Sequence, residues 1–311
     1  MSRLKPLNAL SALLAGKPPR DVDWMSVLAL ANKTLVTPQI YAAALDSGTV
    51  SQMPGEVRTF LRDVWRRNRE RNRRLFIQLR EAVAALNAVG VEPTLLKGAA
   101  QWAALGRPAK HDRILTDLDL LVSPEHADIA VSALEAGGFV TRGRYDDPAS
   151  YVAAELARPD DVGLIDLHRR PPGPEALARA AMAFPGQTLG VSWDGVRARA
   201  PRPALQIFLL VLHDQFQDGG YWRGEFALRH LLEIAALSRQ PGAVDWSVLA
   251  RLAPTRLVRN ATDAQLLAAA TICGALAPRT ARRPWVRLQH ARLRAQFGWP
   301  RLSPLLVQLS G

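Results

Sequence analysis

The chain has 311 residues, 48% apolar and 22% charged, with 40 Lys plus Arg against 28 Asp plus Glu for a net charge of +12. That balance excludes a disordered, collagen-like or disulfide-scaffold protein, and the length leaves room for two modest domains. Only five of the 40 cations are Lys, so the basicity is arginine chemistry.

In chain order, the stretch Leu7 to Gly16 is diluted by Asn8 and Ser11, and no signal peptide is predicted. Asp23 opens a helix running to Leu35, and Pro38 to Leu45 forms a short one closed by Ser47-Gly48. Val57, Phe60, Leu61, Val64, Asn68, Asn72, Leu75, Leu79, Val83 and Leu86 then recur every three or four residues. That spacing predicts one long helix with a single buried stripe. Its other faces carry nine Arg against Asp63 and Glu70 between Arg58 and Arg80. Gly90 ends it.

From Val91 to Arg170 strands and helices alternate: strand Val91 to Leu96, helix Gly98 to Leu105, strand Asp117 to Val122, helix Pro124 to Gly137, strand Phe139 to Tyr145, a polar connection Asp146 to Asp161, and strand Val162 to His168. The proline cluster at 171–174 marks a boundary. Beyond it, Thr188 to Ala200 predicts a hairpin turning at Asp194-Gly195. Helices are predicted over Pro203 to Phe216, Glu225 to Ser238, Trp246 to Leu252 and Thr262 to Leu276. The expected fold is α+β: an N-terminal helical region (1–90), a small mixed-sheet core (91–170) and a mainly helical C-terminal region (171–311). Neither Ile207 to Leu212 nor Ala264 to Ala277 reaches the roughly 18 apolar residues a spanning helix needs, so no membrane span is expected. With Cys273 the lone cysteine, the expected setting is reducing and cytoplasmic.

The chemistry concentrates in the middle region. In Thr116-Asp117-Leu118-Asp119-Leu120 the two acids sit at i and i+2 of a strand and share a face. Side by side they repel unless solvated or bridged by a hard divalent cation. Asp166 is a third acid within an otherwise apolar strand and needs a cation nearby. Leu96-Lys97-Gly98 ends a strand and opens a helix, where Gly lets a phosphate approach the backbone and the helix N-terminus favours an anion. No Walker A loop, paired Cys-His spacing or Gly-x-Ser-x-Gly elbow is present.

Strand, Gly turn, helix, Asp-x-Asp strand and a third Asp on a later strand resemble the DNA polymerase β-like nucleotidyltransferase superfamily. The finer resemblance is to its uncharacterised nucleotidyltransferase family. It is carried by Leu96-Lys97-Gly98, Arg113 four residues before Asp117-Leu118-Asp119-Leu120-Leu121-Val122, Asp166-Leu167-His168, and the helices bearing His213 and Leu228-Arg229-His230-Leu231-Leu232-Glu233. Ala99 stands where the superfamily has Ser or Gly, and 18 residues separate Gly98 from Asp117.

The resemblance implies a transfer of a nucleoside monophosphate from an NTP to a hydroxyl acceptor, with Mg²⁺ or Mn²⁺ as cofactor. Asp117, Asp119 and Asp166 are the expected catalytic and metal-holding acids, and Asp166 the expected proton acceptor. Lys97, Gly98 and Arg113 are expected on the nucleotide side, where catalysis is positioning and charge neutralisation. The alternative for the two cations is that they pair structurally with the same acids. His168 faces the same side as Asp166 and is counted with Lys97, Gly98 and Arg113 among the expected cofactor-binding residues, as an orienting hydrogen-bond partner. Asp119→Asn is expected to abolish turnover with the fold intact or slightly stabilised, since one repelling charge is removed. The acceptor is a small molecule, a peptide or protein, or, less favoured, RNA. Two other functions stay open: a degenerate binding module on this fold, and γ-phosphoryl transfer by the same residues. A second basic segment, Arg279 to Arg301, holds seven Arg and no acid. Few aromatic residues interleave with either basic segment, so no tight RNA or DNA binding is predicted.

Overall fold

A computed structural model describes residues 4–105, 112–239 and 244–299. Arg301, the end of the second basic segment, lies outside them. In chain order the elements are α1 (Leu4–Leu14), α2 (Trp24–Lys33), α3 (Thr37–Ser47), α4 (Gly55–Ala88), β1 (Thr94–Leu95), α5 (Lys97–Leu105), β2 (Asp117–Leu121), α6 (Ala127–Ala136), β3 (Val140–Arg144), β4 (Val152–Ala157), β5 (Leu164–His168), α7 (Glu175–Met182), β6 (Thr188–Trp193), β7 (Val196–Pro201), α8 (Pro203–Val211), α9 (Gly220–Arg223), α10 (Leu228–Arg239), α11 (Trp246–Leu252), α12 (Arg256–Cys273) and α13 (Pro284–Gly298). The architecture is α+β, and no helix among the described residues is long and apolar enough to cross a membrane.

Packing divides the chain into two units: residues 68–209, and residues 1–67 with 210–311. Both cuts fall inside helices, α4 and α8. The changes of composition near residues 90 and 170 coincide instead with the ends of α4 and β5.

The 68–209 unit is built on one seven-stranded mixed sheet in the order β3-β4-β5-β2-β1-β7-β6. β2 pairs parallel with β5, and β1 antiparallel with β2 and parallel with β7. Alternation assigns the faces of the two central strands. Leu118, Leu120, Ile165 and Leu167 are fully buried in the core that also holds Leu75, Leu79 and Val83 of α4, each contributing roughly 1.5–3 kcal/mol. The acids of β2 and β5 therefore face the other way. The expected polar connection at 146–161 is overturned, because it contains β4, whose Ala-rich sequence has little strand propensity of its own. Pairing on both sides, with β3 and β5, holds it in the sheet. The hairpin is present as β6 and β7, with Asp194 and Gly195 both at positive φ, the turn geometry that matches strand twist.

The other unit is helical. α12 packs on α1, α10 and α13, and α1 on α2 and α3. α12 starts earlier than expected, at Arg256, because the Thr255 side chain caps it by accepting from Val258 N–H. It ends earlier too, at Cys273, where Gly274 takes a left-handed conformation. The helix expected to run to Phe216 changes after Val211 into a π-helical stretch, Leu212–Gln217.

Candidate active site

β2 and β5 run parallel in a register that makes Asp119 and Asp166 direct cross-strand partners, with Asp117 opposite Leu164 and Leu121 opposite His168. Asp119, Asp166 and His168 each offer a ligand atom within 4.8 Å of the others. Asp117 stands outside this trio, two residues along the same face of β2.

Asp119 is the organised member. It is 2% exposed, and its Oδ1 accepts from Lys97 Nζ at 2.6 Å and from His168 Nε2 at 3.0 Å. Burial alone would raise its pKa, but the Lys97 charge and the His168 hydrogen bond outweigh burial and hold the carboxyl well below the usual range. An ionised Asp119 is acceptor-only, so His168 Nε2 carries the proton in this bond. Burial also works against the charge on Lys97, while Asp119 and Asp117 more than restore it and leave the amine raised. The Asp166 side chain makes no hydrogen bond or ion pair among the described residues. Burial first, then the charges of Asp119 and Asp117, push its pKa up to about 6. One acid is thus saturated on a single oxygen, and its neighbour is left charge-hungry.

The turn that delivers Lys97 differs from expectation. Its left-handed residue is Lys97 itself, at φ 49°, a costly conformation for a residue with a Cβ. The Leu96 N–H donating to the Asp119 carbonyl and the Lys97 ammonium on the Asp119 carboxylate hold it there. A Cβ on Gly98 would lie 2.5 Å from Leu115 Cδ2. Packing against Leu115 thus leaves no room for a side chain at this position.

Arg113 approaches the site closely enough for its charge to oppose that of Lys97, and its carbonyl anchors the lead-in to β2. Asn68 Nδ2 donates to the Asp112 and Arg113 carbonyls at 3.1 and 3.2 Å, and Asn72 Nδ2 to Arg113 at 2.9 Å. On the β5 side, Arg71 Nη2, Arg74 Nη2 and Gln78 Nε2 donate to the carbonyls of Val162, Asp160 and Gly163, each at 2.8 Å. Gly163 lets α4 come this close, since a Cβ there would meet Leu75 Cδ2 at 2.5 Å. Two to three turns of α4 thus grip the segments leading into both acid-bearing strands.

A family model described as uncharacterised nucleotidyltransferase matches residues 20–273, most of the chain. The chain belongs to this family. The match spans both units of this nucleotidyltransferase-family protein, from before α2 to the end of α12. Among curated sequences none matches it significantly. Two solved structures of the antibiotic-resistance factor ANT(2'')-Ia are similar. Its solution structure is 15% identical, covering 72% of this chain and 92% of that one with a TM-score of 0.32. Its crystal structure with adenylyl-2''-tobramycin is 17% identical, covering 72% and 99% with a TM-score of 0.34. That likeness is too loose to transfer residue roles.

Two neighbours of the site were not legible in the family member's sequence. Tyr151, which falls in the expected polar connection, stacks on the His168 ring, with centroids 5.6 Å apart and planes 9° apart. Arg71, read as one more exposed arginine of the long helix, feels the Asp117 charge. Neither lies in a motif, and only the return of β4 and the path of α4 bring them in.

Proposed function

We propose that the protein transfers a nucleoside monophosphate from an NTP to a hydroxyl acceptor with release of pyrophosphate, using Mg²⁺ or Mn²⁺. The observation that carries this reading is the direct pairing of Asp119 with Asp166 in a nucleotidyltransferase-family chain. The donor set fits a hard divalent cation: carboxylate oxygens from two strands converge, and among the described residues Asp119 is oriented through Oδ1 alone and Asp166 has no cation bonded to it. Asp119 and Asp166, with Asp117 beside them, would hold the metal. Bound there, a divalent cation supplies charge neutralisation for the phosphates and for the oxygens entering and leaving.

The chain's own groups do the rest. His168 and Lys97 lock the Asp119 carboxylate, and Tyr151 holds the His168 ring in plane. Lys97 and Arg113 bring positive charge to the nucleotide side. Asp166 takes the acceptor hydroxyl proton as the acceptor oxygen bonds to the α-phosphorus and the bond to the β-phosphate oxygen breaks.

Product mass tests the reading. The protein is incubated with each of the four NTPs, Mg²⁺ or Mn²⁺, and in turn a small-molecule extract, a peptide pool and RNA. An acceptor gaining a nucleotide with pyrophosphate released supports it. A gain of phosphate alone indicates γ-phosphoryl transfer, and no NTP consumption with any acceptor points to a binding module.

A further inference from the structure

Five polar side chains of α4 point at the strand lead-ins, and four of them are explained as clamps on backbone carbonyls. Arg71 clamps a carbonyl too, and among the five it is the one with a buried donor atom left over. Its Nη2 is committed to the Val162 carbonyl at 2.8 Å, which fixes the plane of the guanidinium. Its Nη1 is buried and has no hydrogen-bond partner among the described residues. Buried donors are nearly always satisfied, and one on a charged group calls for an acceptor.

The surroundings specify that acceptor. Val162 leads into β5 beside Leu164, and Leu164 is the cross-strand partner of Asp117, so Arg71 reaches the end of the strand pair where Asp117 stands. Burial works against the Arg71 charge, and the Asp117 carboxylate works in its favour without bonding to it. Three acids gather here against Lys97 and Arg113, and Lys97 is already bonded to Asp119. An anion entering beside Asp117 would meet a fork-shaped donor held rigid by its other arm, the geometry that suits a phosphoryl group.

We propose that Arg71 is a phosphate-binding residue of this site: with Nη2 anchored on Val162, Nη1 donates to a phosphoryl oxygen of the nucleotide beside Asp117. This rests on the nucleotidyl-transfer reading and extends it to a residue outside the acid and Lys-Gly motifs. Arg71 serves binding and orientation of the nucleotide, and takes no proton.

The test is calorimetric binding of ATP, GTP, CTP and UTP, each with Mg²⁺, to the full-length protein, followed by the tightest triphosphate and its nucleoside on variants. Arg71→Gln keeps a donor for Val162 and removes the charge. It is expected to weaken triphosphate binding by about 10-fold or more, the loss of one charge-assisted hydrogen bond, with nucleoside affinity unchanged. Arg71→Lys, which keeps charge but loses the fork, is expected to fall between the two and gives the same readout should the Gln variant not fold. Unchanged triphosphate affinity in the variants overturns the proposal. So does an equal loss for nucleoside and triphosphate, which would make Arg71 a clamp like its neighbours. If the unmutated protein binds none of the four triphosphates, the nucleotidyl-transfer reading itself falls, a failure visible before any variant is made.

Discussion

Each of the two units buries an aspartate, and the two are treated in opposite ways. In the helical unit, Asp214 lies in the π-helical stretch at 5% exposure. Its oxygens accept from Ala227 N–H at 3.2 and 3.3 Å, from Gln265 Nε2 at 2.6 Å and from Gln215 Nε2 at 3.2 Å. Those bonds tie the stretch to the start of α10 and to α12, and the carboxylate is spent on structure. In the sheet unit, Asp119 and Asp166 face each other with two side-chain donors among the described residues, both on one oxygen of one acid. Burial of an acid does not by itself mark a site. The count of donors against acceptors does, because an undersupplied pair of acids attracts a cation and a satisfied one does not.

The sharpest way to break this contrast is Asp119→Asn. Turnover in the product-mass assay should fall on the order of a thousandfold or more. The Lys97 pairing leads to a stability expectation opposite to that drawn from the sequence. Removing Asp119 strips a largely buried Lys97 of its counter-ion, a loss of about 3 kcal/mol, so the urea midpoint should drop. An unchanged midpoint would mean that the pair contributes little. Asp214→Ala should cost about 3 kcal/mol in the same urea experiment by orphaning the Ala227 and Gln265 donors, and a loss below about 1 kcal/mol would deny Asp214 its structural role.

Asp166→Asn should move stability the other way. With its folded pKa pushed up to about 6 from the ordinary aspartate value of 3.8, Asp166 binds more protons in the fold than in the unfolded chain between those values. Its contribution to stability therefore declines as pH rises from about 4 to about 6, then levels. Discounted for partial solvent exposure, the penalty above pH 6 is roughly 1–2 kcal/mol. In chelator at pH 7.5 the Asn variant should melt above the unmodified protein, and the decline between pH 4 and 6 should flatten. Millimolar Mg²⁺ should raise the melting temperature of the unmodified protein, and that gain should shrink in the variant. The smallest effect is expected from Gly98→Ala. The new Cβ crowds Leu115 and should cost about 1 kcal/mol, read from the urea midpoint.

Much of the site's geometry could be read from spacing. Asp117 and Asp119 share a face because they are two apart on a strand, and Asp166 and His168 share one for the same reason. Parity alone could not say that β2 and β5 are neighbours, nor that their register sets Asp119 rather than Asp117 against Asp166. β4 escaped because Val152 to Ala157 is weakly strand-forming and is held by its partners, and Tyr151 escaped with it.

By itself the sequence determined the local chemistry: the length of α4, the β6–β7 turn at Asp194-Gly195, the clustering of acids, and the motifs by which the family is recognised. These rest on periodicities and backbone preferences that act over a few residues. Only the tertiary structure decided that Lys97 serves Asp119, that Asn68, Asn72, Arg71, Arg74 and Gln78 reach the carbonyls before β2 and β5, and that Asp166 is the acid with no cation bonded to it among the described residues. Those outcomes depend on contacts between residues far apart in the chain. No local pattern records which donor finds which acceptor once the sheet has closed.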